Sequence, residues 1–199
     1  MTRPQWRQQL EALLEEAKED PTARFAQLAT VTQDCAPANR TVVVRGFMPD
    51  KDALIIGTDS RSDKIEHLRH PTGAAPEVSL CWYVVEARHQ FRIRGTVAVI
   101  DADCDAPSLV ELRERIWSRL GRGTQRSFFG PPPGSRRRAS DETTIVLSDG
   151  SPADVSRNFA LLVLPAETVD HLALNPLPHR RTRHERQRDD EWRTTEINA

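Results

Sequence analysis

Two runs decide how this chain folds: Arg40-Thr41-Val42-Val43-Val44-Arg45-Gly46-Phe47, and Ala53-Leu54-Ile55-Ile56-Gly57-Thr58-Asp59-Ser60-Arg61-Ser62-Asp63-Lys64. The first is β-branched with a cation near each end, and Val and Thr suit a pleated strand. Strand alternation puts Thr41, Val43 and Arg45 on one face, and Arg40, Val42 and Val44 on the other. Met48-Pro49-Asp50-Lys51-Asp52 is turn material. Ala53 to Gly57 therefore reads as a second strand, hairpin-paired with the first. Thr58 to Ser62 supplies hydroxyls and a helix start, with Lys64 on the first helical turn. Hydroxyls, free N–H groups and converging Arg and Lys are what a buried phosphate monoester requires. The residues thus predict a phosphate-bearing ligand at the strand–helix junction after Gly57.

Working outward, Trp6, Leu10, Leu13, Leu14 and Ala17 form one helical stripe, ended by Asp20-Pro21. Ala23 to Thr32 reads as a strand anchored by Phe25, Leu28 and Val31, and a turn over 33–38 leads into the Arg40 strand. A helix from about Ser62 to Arg69 turns Ile65 and Leu68 inward and stops at Pro71. Glu77 to Val85 is a strand carrying Trp82. Gln90 to Ile100 is a strand that alternates polar and apolar, then becomes apolar. Pro107 to Leu120 reads as a helix with proline in its first turn. Residues 121–156 are rich in Gly, Pro, Ser and Arg and read as a long irregular segment, with room for a short helix near Asp141–Val146. Asn158 to Pro165 is a buried strand, and Thr168 to Leu174 is another. After Asn175-Pro176-Leu177-Pro178 come an Arg-rich strand or loop and a last strand over Glu191–Ile197. About seven short strands without βαβ alternation predict a mainly β fold, an antiparallel barrel with peripheral helices.

The 199 residues suffice for a single domain, with its core over 20–100 and C-terminal strands over 157–199. A net charge of −1 argues neither for nor against a nucleic-acid partner. Arg is clustered at 136–138 and 180–188, and the 136–138 cluster reads as a solvated loop run. Cys35, Cys81 and Cys104 are an odd set without metal-ligand spacing, which fits free thiols in a reducing, cytoplasmic compartment. Residues 1–20 are amphipathic and acidic rather than a signal segment, and no 18-residue apolar run suggests a membrane span.

These pieces, in this order, resemble the pyridoxamine phosphate oxidase-like FMN-binding split barrels, in the branch with a short His-Arg-Arg motif near the C-terminus. The resemblance is carried by Arg40 to Arg45, Gly57-Thr58, Ser62-Asp63-Lys64, Trp82, and His89-Gln90-Phe91 ending at Gly95. It implies an antiparallel split β-barrel of six to seven strands, and a homodimer with FMN between its subunits. Arg40 and Lys64 would pair with the FMN phosphate, with Gly57, Thr58 and Ser62 around it. Thr41, Val42 and Val43 would line the isoalloxazine edge, and Gln90 would bond its pyrimidine end. Gln125 and Ser127 lie where a second-subunit contact is expected. The family's Arg-Leu-His-Asp-Arg motif matches Leu177-Pro178-His179-Arg180-Arg181, so Arg181 would approach the flavin from the partner chain. His179 would be the proton carrier.

The departures bear on the substrate. Arg45 stands at the cofactor site where the family has a substrate-phosphate Lys, and Leu177 replaces the first Arg of the C-terminal motif. Asp63 replaces a basic residue, for which Arg61 could compensate. Losing a phosphate-binding Arg leaves a dianionic vitamin substrate underbound. The expectation is a flavin-dependent oxidoreductase on a small substrate, with vitamin B6 oxidation in doubt. A flavin carrier or sensor, or an anion-binding module using the basic runs, are the competing readings. Taken alone, Arg40 and Arg45 could be strand-edge charges, and Gln90 an ordinary surface residue. His67, His70 and His171 read as structural, and His179, His184 and Glu185 fit no dedicated metal pattern.

Overall fold

The computed structural model describes residues 3–69, 76–138 and 154–199. Ten antiparallel strands form one sheet: β1 (Phe25–Val31), β2 (Pro37–Phe47), β3 (Ala53–Asp59), β4 (Glu77–Val84), β5 (His89–Thr96), β6 (Ala98–Ile100), β7 (Phe159–Pro165), β8 (Thr168–Ala173), β9 (Arg180–Arg186) and β10 (Trp192–Ile197). Their order is β10-β9-β8-β5-β4-β1-β2-β3-β7-β6. The helices are α1 (Gln5–Glu16), α2 (Asp63–His67), α3 (Pro107–Ser118) and α4 (Arg122–Ser127).

Two short connections force the sheet to curl. Only Val97 separates β5 from β6, and only Ala166 and Glu167 separate β7 from β8, yet each pair is far apart in the strand order. The chain must therefore cross between the two ends of the sheet, and the crossings meet at Gly95. A Cβ there would lie 2.0 Å from the carbonyl oxygen of Pro165, so only glycine allows the approach. The junction is tied by Glu167 N–H donating to the Arg94 carbonyl at 2.8 Å. The result is a curled half-barrel, the split-barrel architecture expected, built from ten strands rather than six to seven. Two of the extra strands come from dividing the 90–100 run at Val97 and from ordering the Arg-rich 180–186 segment as β9.

Alternation sorts the side chains. Leu28, Val42, Val44, Leu54, Ile56, Leu80, Trp82, Phe91 and Ile93 fill the interior, and α1 closes one end with Trp6, Leu10 and Leu14. Each such side chain contributes on the order of 1.5–3 kcal/mol by leaving water. Buried Arg7 docks α1 by donating to Asp52 Oδ1 at 3.1 Å and to the Lys51 carbonyl at 2.9 Å. A second cluster lies outside the barrel, where Leu112, Ile116 and Trp117 of α3 cover Ala53, Ile55, Phe159 and Leu161. Among the described residues, no such helix covers the outer face of β2-β1-β4-β5-β8.

One expectation is corrected here. Residues 121–156 are not irregular throughout, because Arg122–Ser127 forms α4. Tertiary contact holds it: Gln125 Nε2 donates to the Trp117 carbonyl at 2.9 Å at the end of α3. The short helix expected near 141–146 lies outside the described residues.

Candidate functional site

The hairpin β2–β3 and the turn into α2 bring four of the expected residues together. Lys64 Nζ donates to Thr58 Oγ1 at 3.1 Å and to Ser62 Oγ at 2.8 Å. Both hydroxyls are buried. Ser62 precedes α2 but makes no side-chain cap; its Oγ donates to the Asp59 carbonyl at 2.6 Å, which aims it at Lys64. Burial, and then the nearby Arg40 guanidinium, push the Lys64 ammonium below its ordinary value. Burial likewise lowers Arg40.

Arg40 is held entirely by neutral acceptors. Its NH1 donates to Thr30 Oγ1 at 2.7 Å, to the Leu28 carbonyl at 3.1 Å and to the Ala38 carbonyl at 3.2 Å. Its NH2 lies 3.4 Å from His67 Nδ1. Among the described residues, neither Arg40 nor Lys64 forms an ion pair with a carboxylate. Lys64, losing solvation, thus sits on two buried hydroxyls close to the partly desolvated Arg40, with Asp59 and Asp63 nearby but ion-paired to neither cation. Such an arrangement is costly without a ligand and suited to a phosphate. Arg61 is not a spare cation for this purpose. It clamps Asp59 at 2.7 Å and donates to the Gly130 carbonyl at 2.9 Å.

Arg45 adds a second unmet group. It sits at the β-bulge between Val44 and Gly46, and its side chain lies over Gly57. A Cβ on Gly57 would be 3.5 Å from Arg45 Nε and 3.3 Å from the Phe159 ring, so the glycine makes room for both. Arg45 Nε is buried without a hydrogen-bond partner. Burial, and then Arg24, lower its pKa.

The remaining expected residues divide by face. Thr41 and Val43 point outward from β2, whereas Val42 is buried in the barrel, so only its backbone can meet a ligand outside. The registers place Gly57, Val43 and Phe25 in one outward row. The same row continues through Tyr83, Gln90, Leu172 and Arg181. Phe25 and Tyr83 are exposed large side chains on that row. Gln90 thus lies on this outward row, three ladders from β2. Arg181 lies further along it and makes a bidentate pair with Asp170, at 2.9 and 3.0 Å. His179 is exposed just before β9, five ladders from β2, and does not meet the cradle within one chain. Gln125 is spent on Trp117, and Ser127 Oγ donates to the Thr124 carbonyl at 2.7 Å. Trp82 is a core residue whose Nε1 donates to the Ala23 carbonyl at 2.7 Å.

Thr30 and His67 escaped the sequence reading. They come from β1 and α2 and meet only through the fold, where Thr30 Oγ1 is 3.0 Å from His67 Nδ1. The one available signal was helical spacing, since His67 lies one turn after Lys64. A separate buried group forms at the other end of the sheet. His171 stacks on Phe91 at 4.2 Å and hydrogen-bonds His89 at 2.9 Å. His184 lies nearby against Thr194. Among the described residues, no group of three or more His, Cys, Asp or Glu side chains is placed to hold a metal ion.

Comparison with known proteins agrees with this geometry. Residues 3–101 match the model of the pyridoxamine 5'-phosphate oxidase FMN-binding domain. A pyridoxine/pyridoxamine 5'-phosphate oxidase 2 of Arabidopsis thaliana is 36% identical over 169 residues, covering 85% of this chain and 83% of that protein. A pyridoxine/pyridoxamine 5'-phosphate oxidase of Rhizobium etli is 32% identical over 106 residues, and the match spans 48% of its length. A crystal structure of a pyridoxamine 5'-phosphate oxidase-related, FMN-binding protein from Nostoc punctiforme superposes with a TM-score of 0.90 at 33% identity, over 100% of both chains. Barrel, cradle and relatives together place this chain in the pyridoxamine 5'-phosphate oxidase family, as an FMN-binding flavoprotein of the oxidoreductase-type split barrel.

Proposed function

We propose that the chain is a homodimeric, FMN-dependent oxidoreductase acting on a small substrate, and that the FMN phosphate docks in the cradle of Arg40, Thr58, Ser62 and Lys64. The observation that carries this reading is Lys64 held on two buried hydroxyls close to Arg40, with neither cation ion-paired to a carboxylate among the described residues. Lys64 already spends two hydrogens on the hydroxyls, and its third is free to meet an oxyanion. Thr58 and Ser62 orient that ammonium, while Gly57 keeps the approach open. Thr41, Val43 and Gln90 then offer the outward surface on which a flat aromatic ring could rest. A bound flavin would supply hydride or electron transfer, and the chain's task is to place a donor carbon beside it and exclude water.

The dimer supplies what one chain lacks. Arg181 and His179 are too far along the sheet to reach their own cradle, so a partner subunit would bring them to it. The exposed Phe25 and Tyr83 on the bare face suit burial in such an interface. His179 is then the proton carrier near the reacting atoms. Three free cysteines fit a cytoplasmic setting, and no helix among the described residues is long and apolar enough to cross a membrane.

Leu177 puts oxidation of the substrate named for the relatives in doubt. Leu177 is exposed where the family carries Arg, which removes a cation from the substrate side. Arg45, half-buried and unpartnered at Nε, remains to receive an anionic group. Anaerobic addition of NAD(P)H or pyridoxamine phosphate to purified protein tests turnover. Bleaching of the flavin absorbance by a donor supports an enzyme. A flavin that neither donor reduces favours the carrier or sensor reading.

A further inference from the structure

We infer that His67 and Thr30 are positioning residues for the flavin phosphate, acting through Arg40; the inference rests on the cradle proposed above. The three side chains form a relay. Arg40 NH1 donates to Thr30 Oγ1 at 2.7 Å. The Thr30 hydroxyl, 3.0 Å from His67 Nδ1, has its own hydrogen left to donate there. His67 Nδ1 is also 3.4 Å from Arg40 NH2, so one imidazole lone pair faces both.

The consequence for Arg40 is orientation. The Leu28 and Ala38 carbonyls and the Thr30 hydroxyl take up the NH1 edge. That leaves the Nε–NH2 side as the edge able to meet a phosphate oxygen. A guanidinium can rotate about its flexible stem, and fixing it in advance saves the ordering cost when an anion binds. Neither supporting group carries a negative charge. An aspartate in place of His67 would hold Arg40 equally well but would neutralise it, competing with the phosphate. An imidazole nitrogen and a hydroxyl fix the cation without placing a carboxylate beside it. Thr30 is almost fully buried, which removes water as a rival partner for Arg40.

The relay also links α2 to β1 and β2. Lys64 and His67 stand one helical turn apart on α2. The same short helix therefore delivers the second cation and holds the first in place. A shift of α2 would move both cations at once.

The test compares FMN with riboflavin, which lacks the phosphate, by fluorescence-quenching titration of apoprotein. Arg40→Ala, His67→Leu, His67→Asn and Thr30→Val are measured beside wild type. A charge-assisted hydrogen bond lost from the relay should weaken FMN binding roughly tenfold in His67→Leu and in Thr30→Val. Riboflavin affinity should stay within about twofold, because riboflavin never meets Arg40. Asn at position 67 restores an acceptor near the Nδ1 position and should recover most of the FMN affinity. A merely structural role would lower both ligands together and would not be rescued by Asn. If Arg40→Ala leaves the FMN preference intact, the cradle itself is wrong and the relay falls with it. If Arg40→Ala abolishes the preference while both His67→Leu and Thr30→Val keep it, the relay alone is refuted. Thr30→Val gives an independent reading should His67→Leu not fold.

Discussion

Lowering the pH should destabilise this protein through His171, and the size of the effect follows from its surroundings. His171 is buried against Phe91, hydrogen-bonded to His89 and close to His184. Burial first, then the two neighbouring imidazoles, hold its pKa down to about 4 from an ordinary 6.5, against a small opposing pull from Asp170. Burial lowers His89 and His184 as well. In the unfolded chain His171 binds a proton near its ordinary value; in the fold it resists until about 4. Between those values the unfolded chain holds more protons, so stability is fully present above about pH 6.5 and is lost as pH falls toward 4. For this one group the loss at pH 5 relative to pH 7.5 is about 2 kcal/mol. In a domain of this length that corresponds to roughly 4–8 °C in Tm. The assay is thermal unfolding followed by circular dichroism at both pH values, for wild type and His171→Gln. The glutamine variant loses the Phe91 stack and should melt lower at pH 7.5. Its drop between pH 7.5 and pH 5 should nevertheless be smaller than the wild-type drop by about that 2 kcal/mol. Equal drops in the two proteins would refute the reasoning.

Other outcomes follow from the same geometry. Arg40→Ala and Lys64→Ala should each weaken FMN binding by at most about 3 kcal/mol, the worth of a charge-assisted hydrogen bond, read by flavin content and titration. Gly95→Ala forces a methyl carbon to within 2.0 Å of the Pro165 carbonyl and should cost more than about 4 kcal/mol or prevent folding; a Tm close to wild type would count against the tight crossing. Arg113→Met should cost about 2–4 kcal/mol in urea unfolding, because the buried guanidinium donates to the carbonyls of Phe159, at 2.8 Å, and Ser156.

The cradle was readable in the sequence because its parts are local. Residues 40–64 are one hairpin and one turn, and β-branched runs, turn residues and hydroxyls fix such units within a few positions. The barrel class followed from the strand count, even though the count itself was short. Periodicity does not show that Val97 breaks one run into β5 and β6, since β-favouring residues continue across it; the break is made by the crossing at Gly95. Helix α4 was hidden for a related reason. Gly121, Gly123 and the following prolines argue against helix, and tertiary contacts such as Gln125 on the end of α3 and Phe128 on Trp117 hold it. The partners of Arg40 were invisible, because Thr30 and His67 are 10 and 27 residues away on other elements. Val42 illustrates the converse: alternation put it on the face opposite Thr41 and Val43, which the structure buries, yet the family match placed all three beside the flavin, where only the Val42 backbone can serve.

The central claim is that a phosphate monoester binds where β3 hands over to α2. Parallel titration of apoprotein with FMN and riboflavin, in wild type and Lys64→Ala, addresses it most directly. The account predicts that wild type prefers FMN by roughly tenfold or more and that the variant loses most of that preference. Equal affinity of the wild-type protein for the two flavins would contradict it.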